Sequence, residues 1–229
     1  MSVDFVPETR FGKWFLGTQT WNVHVLQRAL NDLQRLMPAR APCDTVLDVG
    51  SGFGFSLVQL AQRFSPARII ALDADPEMPQ QIQPELARCA APVELLVGDA
   101  AAIPLPDNAV DIVYCHQTFH HLVHQEAAIR EFFRVLKPGG LLLFAESTKR
   151  YIYSPLIRLL FRHPMHVQKT AEEYIGLIRE AGFDLPDERI SLPYLWWSRP
   201  DIGMWEWFGF KVPATREETL VNAVAVKKP

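Results

Sequence analysis

The feature that most constrains the fold is a regular alternation of short apolar runs with helical patterns from residue 44 onward. The runs are rich in Val, Ile and Leu and are bounded by turn residues, as buried strands are. The predicted strands are 45–50, 67–74, 93–100, 110–116, 140–146 and 219–228. The predicted helices are 12–37, 55–64, 76–90, 125–137 (stopped by Pro138-Gly139-Gly140) and 171–182. Such alternation predicts an α/β fold with a mostly parallel sheet covered by helices on both faces.

Composition narrows the class of protein. The chain has 229 residues, of which 48% are hydrophobic, and a formal net charge of −3. This charge argues against a nucleic-acid partner bound through excess positive charge. Three scattered cysteines, Cys43, Cys89 and Cys115, predict neither a disulfide framework nor a zinc site. No signal peptide or spanning segment is visible, so we expect a soluble, cytoplasmic protein.

A glycine-rich turn follows the first predicted strand, in the stretch VLDVGSGFGFS at 46–56. Glycines at a strand end permit a tight turn or the close approach of a ligand to the backbone. The dinucleotide-binding pattern is G-x-G-x-x-G, whereas Gly50, Gly52 and Gly54 form G-x-G-x-G, with Phe55 at the position of the third glycine. The departure disfavours a nicotinamide or flavin dinucleotide.

Acidic residues end the next two predicted strands. Asp73 can accept hydrogen bonds from both hydroxyls of a ribose. Asp99 has no clear role in a dehydrogenase, but its carboxylate can accept a hydrogen bond from the exocyclic amine of an adenine. The pair therefore favours an adenosine-containing cofactor other than a dinucleotide.

With these motifs the sequence resembles the class I S-adenosylmethionine-dependent methyltransferases, in the small-molecule group (type 11-like) that includes quinone-biosynthesis and sterol-type enzymes. The resemblance implies a Rossmann-like, mostly parallel seven-stranded sheet with helical lid segments. It also implies one domain with an N-terminal lid at 1–42, a cofactor-binding half at 43–146 and an acceptor-side half at 147–229. The motifs that carry it are VLDVGSGFG (46–54), IIALDADPEM (69–78), VGDAAAIPLPDNAVDIVYC (97–115), HHL (120–122) and FFRVLKPGGLLLFAE (132–146).

The resemblance implies S-adenosylmethionine as cofactor. The glycine turn would line its methionine moiety, Asp73 would bind the ribose, and Asp99 would meet the adenine edge. Asp48 would hold the turn or reach the amino group through water, and the His116 backbone would face the methionine end. The implied cofactor-binding residues are Asp48, Gly50, Ser51, Gly52, Asp73, Ala74, Asp99, Ala100 and His116.

The expected reaction is methyl transfer to a small, apolar or lipid-like acceptor; the alternative is a non-catalytic protein that binds S-adenosylmethionine or serves as a scaffold. The segment after the fourth strand lacks both the Asn/Asp-Pro-Pro-aromatic motif of base methylation and the acidic cluster of magnesium-dependent enzymes. His116 and His120 are candidate general bases, because imidazole titrates near neutrality.

Four of the seven histidines lie in 115–125, which raises the alternative of a metal site. Zinc ligands need convergent geometry and usually a supporting carboxylate, which the sequence does not reveal. We therefore predict no metal.

The segment 147–171 contains no acidic residue and five Lys or Arg residues. A helix is predicted from Ser154-Pro155 to His163-Pro164. We expect this helix either to cover the cofactor cleft or to contact an anionic membrane surface or a lipid-like acceptor. Aromatic residues at 194–210 predict an apolar pocket wall, and Trp14, Phe15 and Trp21 predict a lid over it.

Overall fold

The computed structural model describes residues 8–38, 43–193, 209 and 219–228. Its strands form a seven-stranded sheet in the order β3-β2-β1-β4-β5-β7-β6. The first five of these pair in parallel, and β7 runs antiparallel to both of its neighbours. The strands are β1 (Thr45–Val49), β2 (Arg68–Asp73), β3 (Val93–Val97), β4 (Val110–His116), β5 (Leu136–Ser147), β6 (Ile190–Ser191) and β7 (Leu220–Val226).

The helices cover both faces of this sheet, as the sequence predicts. Short 3-10 turns lie at Phe119–His121, Met165–Val167 and Asp187–Arg189. The α-helices are α1 (Arg10–Leu16), α2 (Gln19–Trp21), α3 (Gln27–Leu36), α4 (Phe55–Phe64), α5 (Met78–Gln81), α6 (Gln83–Leu86), α7 (Gln125–Val135), α8 (Lys149–Ile152), α9 (Pro155–Leu160) and α10 (Ala171–Glu180).

Two apolar clusters, one on each face, hold the helices to the sheet. Successive residues of a strand point to opposite faces, so Val46 packs with α3 and α4 whereas Leu47 packs with α7 and α10. A buried hydrogen bond of 2.7 Å from Nδ2 of Asn222 to Oδ2 of Asp32 also ties α3 to β7. The N-terminal helices are therefore part of the packed fold.

The order of the strands reverses between β1 and β4. In open parallel sheets the carboxyl ends of the strands at such a switch point form a crevice where ligands bind. Gly50 follows β1 and His116 ends β4, so the fold brings both to this crevice.

Several element boundaries differ from the sequence predictions. The helix predicted over 125–137 ends at Val135, and β5 begins at Leu136 rather than at 140, because Gly139 donates a backbone hydrogen bond to Lys227 O at 2.6 Å. The helix predicted over 76–90 is two single turns, each with a proline in its first turn. The two-residue strand β6 is too short for a periodic signal and was missed.

The helix predicted over 12–37 is broken into α1, α2, a π-helical turn (Asn22–Leu26) and α3. A π-helical turn inside a helix frequently marks a functional site, and this one follows Trp21 directly. No helix in the described ranges has the length and apolar character needed to cross a bilayer. The aromatic wall predicted at 194–210 lies, apart from Gly209, outside the described residues.

Candidate functional site

The glycine turn after β1 adopts a backbone conformation that favours glycine. Gly50, Gly52 and Gly54 have φ angles of 75°, 47° and 80°, in the left-handed region that disfavours side chains with a Cβ. A Cβ on Gly50 would lie 2.1 Å from Oγ1 of Thr118, whereas a Cβ on Gly52 would meet nothing within 4 Å. Gly50 is thus packed against the loop after β4, and Gly52 faces open space in the crevice.

Asp48 lies beneath this turn and is almost fully buried. Its Oδ2 accepts a hydrogen bond of 2.5 Å from Oγ of Ser56, and its carbonyl accepts one of 2.8 Å from Oγ of Ser51. Burial raises the pKa of Asp48 to about 6, an effect that the serine hydroxyls oppose and the nearby Asp73 carboxylate reinforces. A cationic group in the crevice would stabilise the ionised form.

Asp73 ends β2 and holds the turn with its carboxylate. Oδ2 accepts a hydrogen bond of 2.8 Å from the backbone N–H of Gly52, and Oδ1 accepts one of 2.9 Å from Asp75 N–H. Burial raises the pKa of Asp73. Asp99, beyond β3, accepts a hydrogen bond of 2.8 Å from the N–H of Ala101 through Oδ1.

Two adjoining clefts open at this edge of the sheet. The first cleft, of about 250 Å³, is lined by all the predicted cofactor-binding residues, from Asp48 to His116. The second cleft, of about 100 Å³, is lined mainly by apolar and imidazole groups from the N-terminal helices and from 147–163. Six residues line both clefts and so form their common wall: Glu8, Leu16, Trp21, His116, Gln117 and His121.

His116 stands in this common wall with 9% of its surface exposed. Its ring lies between Tyr114, with centroids 6.0 Å apart, and Trp21, at 5.7 Å. Nε2 is buried and has no hydrogen-bond partner among the described residues. Burial lowers the pKa of His116 to about 4, an effect that Glu146 opposes and His120 reinforces. The ring is therefore neutral at pH 7 and a weaker base than the imidazole titrating near neutrality that is expected from the sequence.

A buried carboxylate organises the loop that follows β4. Oε1 of Glu146 accepts hydrogen bonds of 2.8 Å from the backbone N–H groups of Thr118 and Phe119. Oε2 lies 2.6 Å from Nδ1 of His120, which is itself buried. His120 lines the second cleft but not the first, whereas His116 and His121 line both.

Three histidines from two distant segments meet beside the second cleft. The ring centroids of His120 and His121 are 4.3 Å apart, and His163 lies 5.1 Å and 4.8 Å from them respectively. Burial lowers the pKa of His163 to about 3 and that of His121 well below its usual value, and the pKa of each falls further beside His120. The two imidazoles are therefore neutral at pH 7.

The N-terminal segment contributes part of the predicted lid. Trp21 lines both clefts and Phe15 lines the second, whereas Trp14 lines neither cleft and is 64% exposed. Trp14 therefore lies outside the walls of both clefts, and its predicted lid role stays a prediction because the pocket wall at 194–210 lies outside the described residues. Glu8 lines both clefts and accepts a hydrogen bond of 2.9 Å from Arg162 N–H.

Sequence reasoning missed Glu146, Glu8 and His163 as site residues. Glu146 carried a signal, since it is an acid that ends an otherwise apolar strand. No comparable signal marks Glu8 or His163, because long-range packing alone brings them to the clefts.

Comparisons with known proteins define the class. Residues 47–144 match the family described as Methyltransferase domain. A solved methyltransferase in complex with the Haloferax volcanii Trm112 methyltransferase activator has a TM-score of 0.69 and 25% identity, with 96% of each chain covered. A S-adenosylmethionine-dependent methyltransferase from Aquifex aeolicus has a TM-score of 0.66 at 21% identity, covering 96% of this chain and 99% of that one, and supports the same fold.

Two curated relatives match part of the chain. The malonyl-[acyl-carrier protein] O-methyltransferase 1 of Coxiella burnetii is 32% identical over 126 residues, which are 54% of this chain and 42% of the relative. The phosphoethanolamine N-methyltransferase of Triticum aestivum is 30% identical over 145 residues, 63% and 25% of the two chains. The chain thus spans less than half the length of these two relatives.

Residues 47–144 therefore match a methyltransferase domain, and the relatives and the solved structures named above are methyltransferases. The resemblance drawn from the sequence motifs is confirmed, as is the α/β fold with its seven-stranded, Rossmann-like sheet. S-adenosylmethionine is the cofactor that this family uses. The first cleft fits it chemically, because open space faces Gly52 and carboxylates end two strands beside the turn.

Proposed function

We propose that this protein transfers a methyl group from S-adenosylmethionine to a small, apolar or lipid-like acceptor that occupies the second cleft. One observation carries the proposal. Nε2 of His116, in the wall that the two clefts share, is buried and has no hydrogen-bond partner among the residues that the structure describes. A buried polar atom without a partner is costly. A hydrogen-bonding group of a bound molecule would remove that cost.

The cofactor would lie along the turn after β1. Gly50, Ser51 and Gly52 would line its methionine moiety, and Asp48 would face the amino group. Asp73 would accept the ribose hydroxyls with Ala74 beside it, while Asp99 and the backbone of Ala100 would meet the adenine edge. This assignment rests on the strand-end acids and on the left-handed backbone at Gly52.

The methyl group of a sulfonium is already electrophilic, so the chain has to align the reactants and exclude water. His116 would accept a hydrogen bond from the acceptor's O–H, N–H or S–H at Nε2 and take its proton as the methyl group transfers. His120 is the second candidate base, because Glu146 fixes its ring through Nδ1.

The lining of the second cleft supports an apolar acceptor. Phe15, Trp21, Ile157 and Phe161 contribute hydrocarbon and aromatic surface, and a few polar groups converge among them. Apolar walls with few polar groups are typical of small-molecule sites. The two relatives named above act on oxygen and on nitrogen respectively, so the fold accommodates either acceptor atom.

Label transfer from methyl-labelled S-adenosylmethionine tests the proposal. The protein is incubated with extracted metabolites, separated into aqueous and organic fractions, with His116→Ala as the matched variant. We expect label in the organic fraction, lost in the variant although it still binds S-adenosylhomocysteine. Label on no molecule in any extract, despite cofactor binding by the wild type, would favour the non-catalytic alternative.

An exposed surface next to the second cleft supports a lipid-like acceptor. Helices α1 and α9 contact each other through a hydrogen bond of 2.6 Å from Oγ1 of Thr9 to Leu160 O. We call these two helices with their flanking basic residues the α1–α9 surface. Its exposed large apolar residues are Phe11, Trp14, Leu156 and Leu159, and its exposed basic residues are Arg10, Lys13, Arg158 and Arg162.

Leu159 is 79% exposed, and the residue that α9 buries is Ile157. Apolar and basic side chains together fit an anionic membrane surface, where each basic residue contributes about 1 kcal/mol. We propose that the α1–α9 surface docks on anionic lipid and presents the second cleft to an acceptor dissolved in the bilayer.

Vesicle co-sedimentation tests the docking step separately. The variant Arg158→Glu/Arg162→Glu should lose binding to vesicles with anionic lipid at low salt, yet keep its melting temperature and its affinity for S-adenosylhomocysteine. The reversal of two exposed acids on α10, Glu172→Lys/Glu180→Lys, is the matched control. Equal sedimentation with neutral and anionic vesicles would contradict docking and leave the second cleft as a site for a free acceptor.

A further inference from the structure

We infer that His120, His121 and His163 form a binding site for a divalent transition metal, Zn²⁺ above all, beside the second cleft. Each of the three offers one ring nitrogen, and these nitrogens all lie within 4.8 Å of one another. The inference does not depend on methyl transfer, since it concerns the binding of the metal alone.

The spacing of the three nitrogens is close to what a zinc ion needs. Zn–N bonds of about 2.0–2.1 Å in a tetrahedron place ligand nitrogens about 3.3 Å apart. The longest separation in the cluster thus has to close by about 1.5 Å. His163 can supply this movement by side-chain rotation, because it lies outside regular secondary structure, between α9 and the following 3-10 turn.

A metal site also needs neighbouring groups that orient its ligands, and the surroundings of the histidine cluster supply them. Glu146 holds Nδ1 of His120 at 2.6 Å, which leaves Nε2 of that ring available to a metal. A carboxylate that orients a ligating histidine in this way is the usual outer partner of a zinc site. Glu8 also interacts electrostatically with His120, so two carboxylates face the cluster and offset the charge of a divalent cation.

The chemistry of the donors selects the kind of metal. Imidazole nitrogens suit Zn²⁺ and other late first-row ions, whereas Mg²⁺ and Ca²⁺ prefer oxygen ligands. Three protein ligands leave one tetrahedral position open, the arrangement found in catalytic rather than structural zinc sites. All three histidines line the second cleft, so the open position would be accessible from there.

Titration calorimetry with Zn²⁺ tests the site on the full chain, freed of any affinity tag. We expect one Zn²⁺ per chain, with affinity reduced on the order of 100-fold in His163→Phe and His121→Phe. Phenylalanine keeps the ring packing but removes the nitrogen donors, so the loss isolates ligation from aromatic stacking. His166→Phe, in the same segment but exposed, is the matched control and should bind as the wild type does.

Two further measurements complete the test. Co²⁺ in place of Zn²⁺ should give a tetrahedral absorption spectrum without a thiolate charge-transfer band, since the cluster contains no cysteine. Binding of S-adenosylhomocysteine shows that each variant is folded. No stoichiometric Zn²⁺ on the wild type, or equal affinity in a folded His163→Phe chain, would overturn the inference and leave the three rings as a stacked cluster.

Discussion

The wall of the first cleft between Asp48 and Ala101 is built from strand ends and a backbone turn, whereas the wall of the second cleft is built from side chains of distant segments. In the first, Asp73 holds the N–H of Gly52 with a hydrogen bond of 2.8 Å inside one β-α-β region. In the second, the ring centroids of Phe161 and Phe15 lie 5.9 Å apart and those of His163 and His120 lie 5.1 Å apart. Local geometry thus defines the wall of the first cleft, the proposed cofactor wall, and tertiary packing defines the wall of the second, the proposed acceptor wall.

This difference has a functional consequence. A backbone turn with carboxylates at the strand ends suits one fixed ligand, because few side-chain changes can alter it. A wall of side chains from three segments can change its shape and chemistry without disturbing the sheet. If the proposed function holds, the fold separates a constant cofactor site in the first cleft from an adaptable acceptor site in the second, with His116 where the two clefts meet.

The largest expected effect is the loss of turnover in a His116 variant. This prediction tests whether the two walls act separately. His116→Ala should lower kcat by about 10²–10⁴-fold, the range typical of a general base. Affinity for S-adenosylhomocysteine should change little, since the proposed cofactor contact of His116 is through its backbone, which the substitution keeps. Steady-state kinetics and calorimetry on one preparation measure both quantities.

His120→Ala in the same assay distinguishes the two candidate bases. Near wild-type turnover in both variants would mean that alignment of the reactants alone suffices. A parallel loss of cofactor affinity in His116→Ala would show that the walls are not independent.

The second prediction compares two glycines of the same turn. Gly50→Ala would drive a Cβ into Thr118 at φ 75°, so we expect a loss of about 2–4 kcal/mol in the free energy of unfolding. Gly52→Ala meets nothing within 4 Å, so strain alone should cost about 1–2 kcal/mol. Cofactor binding should nevertheless fall in Gly52→Ala, because the new methyl group projects into the cleft.

Urea unfolding and calorimetry separate the two outcomes. Equal destabilisation by the two alanines would contradict the packing of Gly50 on the loop after β4. Unchanged cofactor affinity in Gly52→Ala would remove the turn from the cofactor wall.

The sequence predicts the locally determined parts of the molecule well and the parts that depend on tertiary packing poorly. The strands β1 and β4 were predicted within one residue, because apolar runs between turn residues are local signals. The start of β5 was not, because it depends on the long-range pairing of Leu136 with Val110 of β4 and on the hydrogen bond from Gly139 to Lys227. In the candidate site, Asp73 could be inferred from its strand end and Asp48 from the family resemblance, whereas the contact of His163 with His120 depends on how an irregular segment packs.

The third prediction concerns Asp73, which lies in the wall of the first cleft, the wall whose residues could be predicted from the sequence alone. Asp73→Ala should weaken binding of S-adenosylhomocysteine by about 1.5–3 kcal/mol, the scale of hydrogen bonds to a charged group. The loss includes the hydrogen bond that positions Gly52. Glu77→Ala, which removes an exposed acid from the segment after the same strand, is the control and should bind normally. Unchanged affinity in folded Asp73→Ala would exclude this carboxylate from the site.

The smallest expected effect is a pH dependence that arises from Asp48. Burial raises its pKa to about 6, so in the chain without cofactor this carboxyl is largely protonated at pH 5 and ionised at pH 7. If the ionised form holds the amino group of the cofactor, affinity for S-adenosylhomocysteine should rise about tenfold between these pH values.

The free energy of unfolding without cofactor should change in the opposite direction. The folded state binds this proton more tightly than the unfolded state does, so the contribution of Asp48 to stability falls as the pH rises from about 4 to about 6.

Two ligands separate the pH dependence due to Asp48 from that due to Asp73. This control is needed because burial raises the pKa of Asp73 as well. 5′-Methylthioadenosine keeps the adenine and the ribose but lacks the amino acid moiety, so it reports on Asp73 without the amino group. The affinity of S-adenosylhomocysteine should therefore rise with pH more steeply than that of 5′-methylthioadenosine, and Asp48→Asn should abolish the difference. Parallel pH profiles for the two ligands in the wild type would contradict contact between Asp48 and the amino group, and would leave Asp48 as the acid that holds Ser56 beneath the glycine turn.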